Sequence, residues 1–300
     1  MSDNKTIVGV DVGGTFTDVF FLNEADGSCD VAKVPSTRSD QSVGIREGIA
    51  EQRDDLSEVS LVIHGTTVGT NALLERKGAK TGIITTTGFR DVIEMRRRDR
   101  PETWGLWGMF EPVVSRDLRV EVDERVLADG TLRTEVNDAD VKAAAATLLE
   151  RGAESVCIFF MNSYANDANE KTAIAAVKEV WPNDHITSSS EILPEIREFE
   201  RCSTATLNAY LQPLIGDYLE RLEGGLKDGG FGGEILIVQS NGGVMSVDTA
   251  RSFPVRTALS GPAAGVIAGA HIGTSAGFPN LITCDMGGTS FDVSVVAGGQ

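Results

Sequence analysis

The sequence predicts an α/β fold, and three observations support this prediction. Short apolar runs with strand character alternate along the chain with segments of helical periodicity. One glycine-rich turn pattern occurs twice, near the two ends of the chain, each time between two apolar runs. The 300 residues, 41% hydrophobic and 24% charged, are enough for two globular domains, which we place at residues 1–200 and 201–300.

The repeated turn pattern predicts two β-hairpins. Residues 11–19 and 285–293 both fit the pattern D-x-G-G-T-x-x-D-V. Because each copy follows one apolar run and precedes another, each is typical of a strand, a glycine turn and a second strand, with an aspartate at the mouth. A single copy would also fit an unrelated glycine turn, but its repetition in the same context favours a shared function.

Between the hairpins, apolar runs predict buried strands and amphipathic segments predict helices. Gly78 and Pro182 mark helix ends, and Asn137 or Asp138 is the expected N-cap of an alanine-rich helix. The predicted elements are, in order, a helix at 42–49, a strand at 59–63, a helix at 70–77, a strand at 81–86, an irregular loop at 96–112, a helix at 138–151, a strand at 156–160, a helix at 169–181, one or two long helices across 195–226, a strand at 235–238 and a helix starting near 261.

The two turns suit nucleotide phosphates. Adjacent glycines let backbone N–H groups approach an anion without a Cβ clash, and a threonine hydroxyl can donate to a phosphate oxygen. The expected phosphate-binding residues are Gly13, Gly14, Thr15, Thr17, Gly287, Gly288 and Thr289. Asp11 and Asp285 are themselves anionic, so we expect them to hold Mg²⁺ between carboxylate and phosphate, usually through water. A turn cap is the alternative role for Asp11, and Asp18 can be explained as closing the hairpin.

Charge and cysteine content narrow the class of protein. The formal net charge of −17 argues against nucleic acid and anionic membrane surfaces as partners. No two of the four cysteines have the C-x-x-C spacing, which argues against a zinc site. Cys157 and Cys284 lie in apolar runs, so we expect both in the core. Because the sequence has neither an apolar signal segment nor a run of 18 apolar residues, we expect a cytoplasmic protein with reduced thiols.

The pair of turns resembles the two phosphate loops of the actin, hexokinase and Hsp70 ATPase superfamily. Further blocks resemble the hydantoinase A / 5-oxoprolinase family, and they occur in family order at residues 64–79, 87–92, 197–201, 208–213, 240–245 and 260–265. The resemblance implies actin-like ATPase (ribonuclease H-like) domains that close on ATP and Mg²⁺. Family members are typically longer, so we expect only part of the second domain, and we expect a hydantoinase B-like subunit as partner.

The same resemblance implies roles for individual residues. Asp11, Asp285 and His64 are the expected catalytic residues, and Asp285 is expected near the γ-phosphate, where it holds metal or orients the nucleophile. His64 lies where a strand ends, with a structural histidine as the alternative. Thr66, Thr67 and Asn71 supply further polar donors in the same stretch and are expected substrate contacts.

Independently of the resemblance, the cations at residues 96–98 stand out against the net charge of −17, and Arg98, Arg100 and Trp104 are the expected contacts to an anionic or planar substrate. The arginine run is also typical of a solvated surface.

Two further blocks leave alternatives open. Glu198 and Arg201 lie three residues apart on one predicted helix face, either as a surface ion pair or as part of a site. Residues 260–265 place small side chains at a helix start, where the backbone can approach a phosphate or a facing helix.

By resemblance, the chain is expected to be part of an ATP-dependent hydrolase that phosphorylates the carbonyl of a cyclic amide, such as hydantoin, 5-oxoproline or a related lactam. Phosphorylation breaks the amide resonance that makes direct hydrolysis slow, and water then opens the ring. Acetone and acetophenone carboxylase subunits share the architecture, so phosphorylation of a ketone enol or of bicarbonate is the first alternative. A non-catalytic ATP-binding regulator is the second, and residues 64–79 argue against a sugar kinase.

Overall fold

The computed structural model describes residues 6–13, 15–37, 41–52, 56–97, 110–286 and 291–299. The chain divides into two compact units, each of which contains its own β-sheet. The first unit combines Met1–Glu75 with Ile215–Gln300, and the second consists of Arg76–Leu214.

Strands and helices alternate in both units, which confirms the α/β prediction. The strands are β1 (Thr6–Val12), β2 (Phe16–Asn23), β3 (Cys29–Pro35), β4 (Val59–Thr66), β5 (Thr81–Thr86), β6 (Arg119–Val122), β7 (Arg125–Val126), β8 (Leu132–Thr134), β9 (Ser155–Phe159), β10 (Ile186–Ser188), β11 (Glu234–Val238), β12 (Val244–Ser246), β13 (Leu281–Met286) and β14 (Phe291–Val296). The helices are α1 (Gln41–Ala50), α2 (Val68–Leu74), α3 (Val92–Met95), α4 (Asp138–Glu150), α5 (Ala168–Lys178), α6 (Ser189–Ile192), α7 (Glu198–Asp228), α8 (Val247–Ser252) and α9 (Ser260–Ser275). Within the described ranges, none of the helices is long and apolar enough to cross a membrane.

In the first unit, six strands form one mixed sheet in the order β12-β11-β4-β1-β2-β3. Strands β11, β4 and β1 run parallel, whereas β1, β2 and β3 form an antiparallel meander. Alternate residues of the hairpin strands, including Val8, Val10, Val19 and Phe21, are buried in the core. The three parallel strands end at the same edge of the sheet, which is where ligands bind in open α/β sheets.

Both predicted hairpins are present in the first unit. Strands β1 and β2 pair with Asp11 opposite Asp18, and strands β13 and β14 pair with Asp285 opposite Asp292. The two copies of the sequence pattern therefore have the same antiparallel register. The second hairpin is a separate two-stranded sheet.

The two cysteines expected in the core have different environments. Cys157 on β9 is buried, as predicted, because its strand lies inside the sheet of the second unit. Cys284 on β13 is exposed, so the prediction that it belongs to the core is wrong. A two-stranded sheet has two faces but too few neighbouring elements to cover both of them.

The second unit contains four parallel strands in the order β10-β9-β5-β6. Every residue of β5 and β9 is buried, as expected for parallel strands that are covered on both faces. Helix α4 begins at one of the two predicted caps. The side-chain oxygen of Asn137 accepts hydrogen bonds from the backbone N–H groups of Ala139 at 2.9 Å and Asp140 at 3.3 Å.

The boundary between the compact units differs from the predicted division at residue 200. It falls inside α7, between Leu214 and Ile215, next to Pro213, which has no N–H to donate within the helix. The reason is strand β11, which follows residue 200 in the sequence but pairs with β4 of the first unit. This pairing joins distant segments, and no local sequence pattern specifies it.

Candidate functional site

Asp11 lies at the sheet edge where the parallel strands end. It is exposed and lies next to Gly65 in the register of β1 and β4. Desolvation by the surrounding protein raises the pKa of Asp11, and the carboxylates of Asp18 and Asp285 raise it further, whereas Lys33 lowers it. The ionised carboxylate is therefore in an environment that a bound cation would make more favourable.

Helix α9 places Asp285 close to Asp11. A Cβ added at Gly261 would lie 3.7 Å from Oδ1 of Asp11, and a Cβ added at Gly265 would lie 3.7 Å from Oδ2 of Asp285. Residues four apart share a helix face and are separated by about 6 Å along the axis. The structure thus brings the two aspartates that were predicted to bind metal onto one face of the first turns of α9.

The donor set at this place fits a hydrated Mg²⁺ ion. Asp11 and Asp285 offer hard oxygen donors, and Mg²⁺ at nucleotide sites uses one or two carboxylates, with water and phosphate oxygens completing its octahedron. In the part of the chain that the structure describes, no three His, Cys, Asp or Glu side chains converge as a metal-binding group. The two carboxylates therefore suit an ion that is bound together with a nucleotide.

The first glycine turn shows which of its predicted phosphate contacts are accessible. The N–H of Gly13 donates to the carbonyl of Phe16 at 3.0 Å and so closes the hairpin, whereas Thr15 is exposed at the turn. Thr17 is buried with its hydroxyl 3.0 Å from that of Ser36, so the phosphate-binding role predicted for Thr17 does not fit the structure. The cause is strand alternation, which directs Thr17 into the core. The remaining predicted phosphate contacts lie outside the described residues, namely Gly14, Gly287, Gly288 and Thr289.

His64 is buried, and both ring nitrogens face protein atoms. Its Nδ1 lies 3.4 Å from the carbonyl oxygen of Val10, and its Nε2 lies 2.6 Å from the hydroxyl of Tyr218. Burial lowers the pKa of His64 from 6.5 to about 4, so the imidazole is neutral. These contacts do not fit the catalytic role predicted for His64; they fit the structural alternative.

The polar residues that follow β4 connect its end to neighbouring elements. The N–H of Thr66 donates to Oγ of Ser260 at 3.3 Å, and that hydroxyl lies 3.0 Å from the carbonyl oxygen of Thr66 and donates to it. Thr67 donates to the carbonyl of Val12 at 3.0 Å, and Asn71 donates to Oγ1 of Thr67 at 3.4 Å. Thr66 is buried, whereas Thr67 and Asn71 are partly exposed. Of these three predicted substrate contacts, the last two border the sheet edge.

Comparison with known proteins identifies the family to which this chain belongs. The model of the hydantoinase/oxoprolinase N-terminal region matches residues 7–181, and the hydantoinase/oxoprolinase model matches residues 201–300. The chain belongs to the hydantoinase/oxoprolinase family. Of the sequence blocks, those at residues 64–79 and 87–92 lie inside the first matched region and those at 208–213, 240–245 and 260–265 lie inside the second, whereas the block at 197–201 lies at the gap between them.

Relatives in the hydantoinase/oxoprolinase family align with nearly all of this chain. The caprolactamase alpha subunit of Pseudomonas jessenii is 35% identical over 311 residues, which cover 100% of this chain and 44% of the relative. The acetophenone carboxylase gamma subunit of Aromatoleum aromaticum is 30% identical over 96% of this chain and 42% of the relative. A nucleotide-free acetone carboxylase structure matches with a TM-score of 0.87 and 27% identity over 98% of this chain and 44% of that chain. The chain spans less than half the length of these relatives.

The second unit of this hydantoinase/oxoprolinase chain contains a cleft lined by arginines. Arg96 and Arg97 border an open cleft of about 280 Å³ together with residues 197–200 at the start of α7. Arg97 forms an ion pair with Glu200, and the guanidinium of Arg96 lies 4.5 Å from the ring centre of Phe110. The other predicted substrate contacts of this arginine segment lie outside the described ranges, namely Arg98, Arg100 and Trp104.

Arg201 of the same family block is a buried residue. Its Nη1 donates to the carbonyl of Glu195, its Nη2 donates to the carbonyl of Phe160 at 3.1 Å, and its guanidinium lies 5.1 Å from the ring centre of Phe159. Of the two alternatives that the sequence left open for Glu198 and Arg201, the surface ion pair does not fit this burial. Glu198 is exposed, whereas the side chain of Arg201 reaches into the core beside β9.

Sequence reasoning missed three contributors to these sites. Tyr218 had no local signal, because its partner lies 154 positions away in the chain. Arg197 begins the block at residues 197–201 without any local sign of a role, although it lines the arginine cleft. Thr70 lies in the block at residues 64–79, where the sequence shows only another polar side chain, yet its Oγ1 accepts a hydrogen bond from the N–H of Leu259 at 2.9 Å.

Proposed function

We propose that this chain is the nucleotide-binding part of an ATP-dependent enzyme that phosphorylates the carbonyl oxygen of a cyclic amide and thereby opens the ring. The observation that carries the proposal is the convergence of Asp11 and Asp285, from two matching hairpins, on one face of α9. Membership of the hydantoinase/oxoprolinase family supports the substrate class. So does the match to a structure described as an ATP-dependent caprolactamase.

The proposed chemistry depends on positioning and charge neutralisation, which dominate phosphoryl transfer. Mg²⁺ bound with ATP would neutralise phosphate charge. In this proposal Asp11 and Asp285 hold the ion, and the phosphate oxygens are contacted by Thr15 together with Gly14, Gly287, Gly288 and Thr289. The substrate carbonyl oxygen bonds to the γ-phosphorus as the bond from that phosphorus to the ADP oxygen breaks. Water then adds to the activated carbon, and the ring C–N bond breaks as the nitrogen takes up a proton, which leaves an acyl phosphate. A second water hydrolyses the acyl phosphate to a carboxylate and inorganic phosphate.

We assign substrate recognition to two regions. Thr67 and Asn71 are partly exposed at the end of β4, near Asp11 in the first unit. The arginine segment, with Arg98 and Arg100, is the second region, and a guanidinium suits a carboxylate or another planar polar group. His64 is proposed as a positioning residue, since it hydrogen-bonds the residue that precedes Asp11.

We also propose a partner and a cellular location. Two of the aligned relatives are named as subunits, alpha and gamma. We therefore propose that the protein works with a second, hydantoinase B-like subunit in the cytoplasm. The net charge of −17 disfavours nucleic acid and anionic membranes as further partners.

The test is phosphate release from ATP by the complete protein with its partner subunit. Hydantoin, N-methylhydantoin, 5-oxoproline and caprolactam are each added with and without bicarbonate. We expect stimulation by at least one cyclic amide without bicarbonate, and loss of that stimulation in Asp11→Asn. Slow hydrolysis that no cyclic amide or ketone changes would contradict the proposal and favour an ATP-binding regulator.

A carboxylase is the second candidate, and it is favoured by the acetone carboxylase match at a TM-score of 0.87. In that reaction the phosphoryl group passes to a ketone enol or to bicarbonate. Acetone and acetophenone are therefore included in the same assay. Stimulation that requires both a ketone and bicarbonate would assign the chain to this activity instead.

A further inference from the structure

Helix α9 carries a glycine at every fourth position of one face. These residues are Gly261, Gly265, Gly269 and Gly273. Two of them lie against β13 with no room for a side chain. A Cβ at Gly273 would lie 2.0 Å from Cδ2 of Leu281, and a Cβ at Gly269 would lie 2.7 Å from Cγ2 of Thr283. The side chains of Leu281 and Thr283 therefore pack directly on the helix backbone at these two positions.

The axial rise of four residues in the helix nearly equals that of two residues in the strand. Four helical residues advance about 6 Å, and two strand residues advance about 6.7 Å. Successive glycines of α9 therefore meet alternate residues of β13, namely Leu281, Thr283 and then Asp285. Gly273 meets Leu281, Gly269 meets Thr283, and Gly265 lies beside the carboxylate of Asp285. The glycine after that, one turn nearer the helix start, lies beside Asp11.

The start of α9 is attached to the sheet edge that carries Asp11. Ser260 is buried and exchanges two hydrogen bonds with the backbone of Thr66, as described above. One residue earlier, the N–H of Leu259 donates to Oγ1 of Thr70 at 2.9 Å. Leu259 has φ of +63°, a left-handed conformation that costs energy for leucine and is maintained by these contacts. The position of the helix start relative to Asp11 is therefore defined by β4 and α2.

We propose that α9 is a spacer that sets the separation of Asp11 and Asp285, and that Gly269 and Gly273 are positioning residues of the phosphate site. One end of the spacer is attached beside Asp11 through Ser260. Its glycine face holds β13, and with it Asp285, at contact distance. This inference rests on the proposed function, because it assumes that both carboxylates serve one Mg²⁺-nucleotide complex.

The test uses Gly269→Ala in the complete protein with its partner subunit. The added methyl group would meet Cγ2 of Thr283, and we expect β13 to shift and to move Asp285 relative to Asp11. Because displacements of about 1 Å can cost about 100-fold in rate, we expect a large loss of turnover. We also expect an increase in the Mg²⁺ concentration that gives half-maximal turnover at saturating ATP. Gly216→Ala in α7 is the matched control, because no atom lies within 4 Å of its added Cβ.

A second substitution that removes the clash distinguishes a positioning role of the glycines from a general loss of structure. Thr283→Ser removes the Cγ2 atom that the alanine would meet, so Gly269→Ala combined with Thr283→Ser should recover both turnover and the Mg²⁺ dependence. Leu281→Ala should rescue Gly273→Ala in the same way. If either single glycine variant does not fold, the compensated pair becomes the test. A compensated double variant that folds but still needs a higher Mg²⁺ concentration for half-maximal turnover than the parent would overturn the proposal.

The remaining outcomes distinguish this inference from the proposed function. If Asp11→Asn and Asp285→Asn lose Mg²⁺-dependent turnover while Gly269→Ala keeps the parental Mg²⁺ dependence, the spacer inference is wrong and the proposed function stands. If the two aspartate variants keep the parental Mg²⁺ dependence, the proposed function itself is wrong.

Discussion

The hydroxyl of Tyr218 lies 2.6 Å from Nε2 of His64, and both side chains are buried. His64 belongs to β4 of the central sheet, and Tyr218 belongs to α7, so the contact attaches this helix to the sheet. The other ring nitrogen faces the carbonyl of Val10, one residue before Asp11. Since the neutral imidazole has one donor and one acceptor, Nδ1–H donates to Val10 and Nε2 accepts from Tyr218.

This buried histidine predicts a pH dependence of stability. Burial lowers the pKa of His64 from 6.5 to about 4. Between these pH values the unfolded chain binds a proton that the folded chain does not, so stability is complete above pH 6.5 and falls as the pH decreases. A shift of this size corresponds to about 3 kcal/mol across the window. Urea unfolding at pH 4.5 and pH 7.5 should therefore show a smaller pH difference in His64→Gln than in the parent. The exposed His271→Gln should behave like the parent, and equal pH differences in all three proteins would contradict the prediction.

Asp11→Asn should lower turnover and leave the unliganded fold at least as stable as the parent. Turnover should fall by at least about 100-fold, by analogy with the loss of other preorganised charge contacts. The raised pKa of Asp11 means that ionisation is costlier in the folded chain, so this group opposes folding as the pH rises through its folded pKa. At pH 7.5, asparagine removes that cost, and the Tm without nucleotide should not fall. Asp18→Asn is the control on the opposite strand, where Asp18 pairs with Lys33 at 2.6 Å. It should keep turnover.

Arg201→Met should destabilise the protein strongly. The substitution leaves the buried carbonyl of Phe160 and the partly buried carbonyl of Glu195 without this donor, and the expected loss is about 3 kcal/mol. Chemical unfolding followed by circular dichroism measures the difference. The exposed Arg197→Met, four residues earlier, should change stability by no more than about 0.5 kcal/mol. Equal effects of the two substitutions would contradict the buried position of Arg201.

Thiol labelling should divide the cysteines into two classes. Cys29 and Cys284 are exposed, whereas Cys157 and Cys202 are buried. Burial raises the pKa of Cys202 to about 12 and that of Cys157 well above its usual value, so neither forms an accessible thiolate. An aromatic disulfide reagent should titrate two thiols in the folded protein and four in urea. Cys284→Ser should leave one reactive thiol in the folded protein. If Cys284→Ser had the same number of reactive thiols in the folded state as the parent, Cys284 would be buried, contrary to the structure.

Local patterns were sufficient where one segment determines its own structure. The repeat around Asp11 and Asp285 predicted two hairpins, and both have the same register in the structure. The cap at Asn137 was also predictable, because a side-chain oxygen and the N–H groups that follow it are neighbours in sequence. By contrast, the spacing of Glu198 and Arg201 left a surface ion pair and a site role open, and only the packing against β9 shows that Arg201 is buried.

The sequence by itself determined the alternation of strands and helices, the two hairpins with their aspartates and the family to which the blocks belong. The tertiary structure decided that Thr17 and His64 are enclosed and that β11 returns to β4. It also decided that the glycine face of α9 brings Asp11 and Asp285 together. The physical reason is contact range: turns, caps and periodicity depend on neighbouring residues, whereas burial and the meeting of two carboxylates depend on packing between segments far apart in the chain.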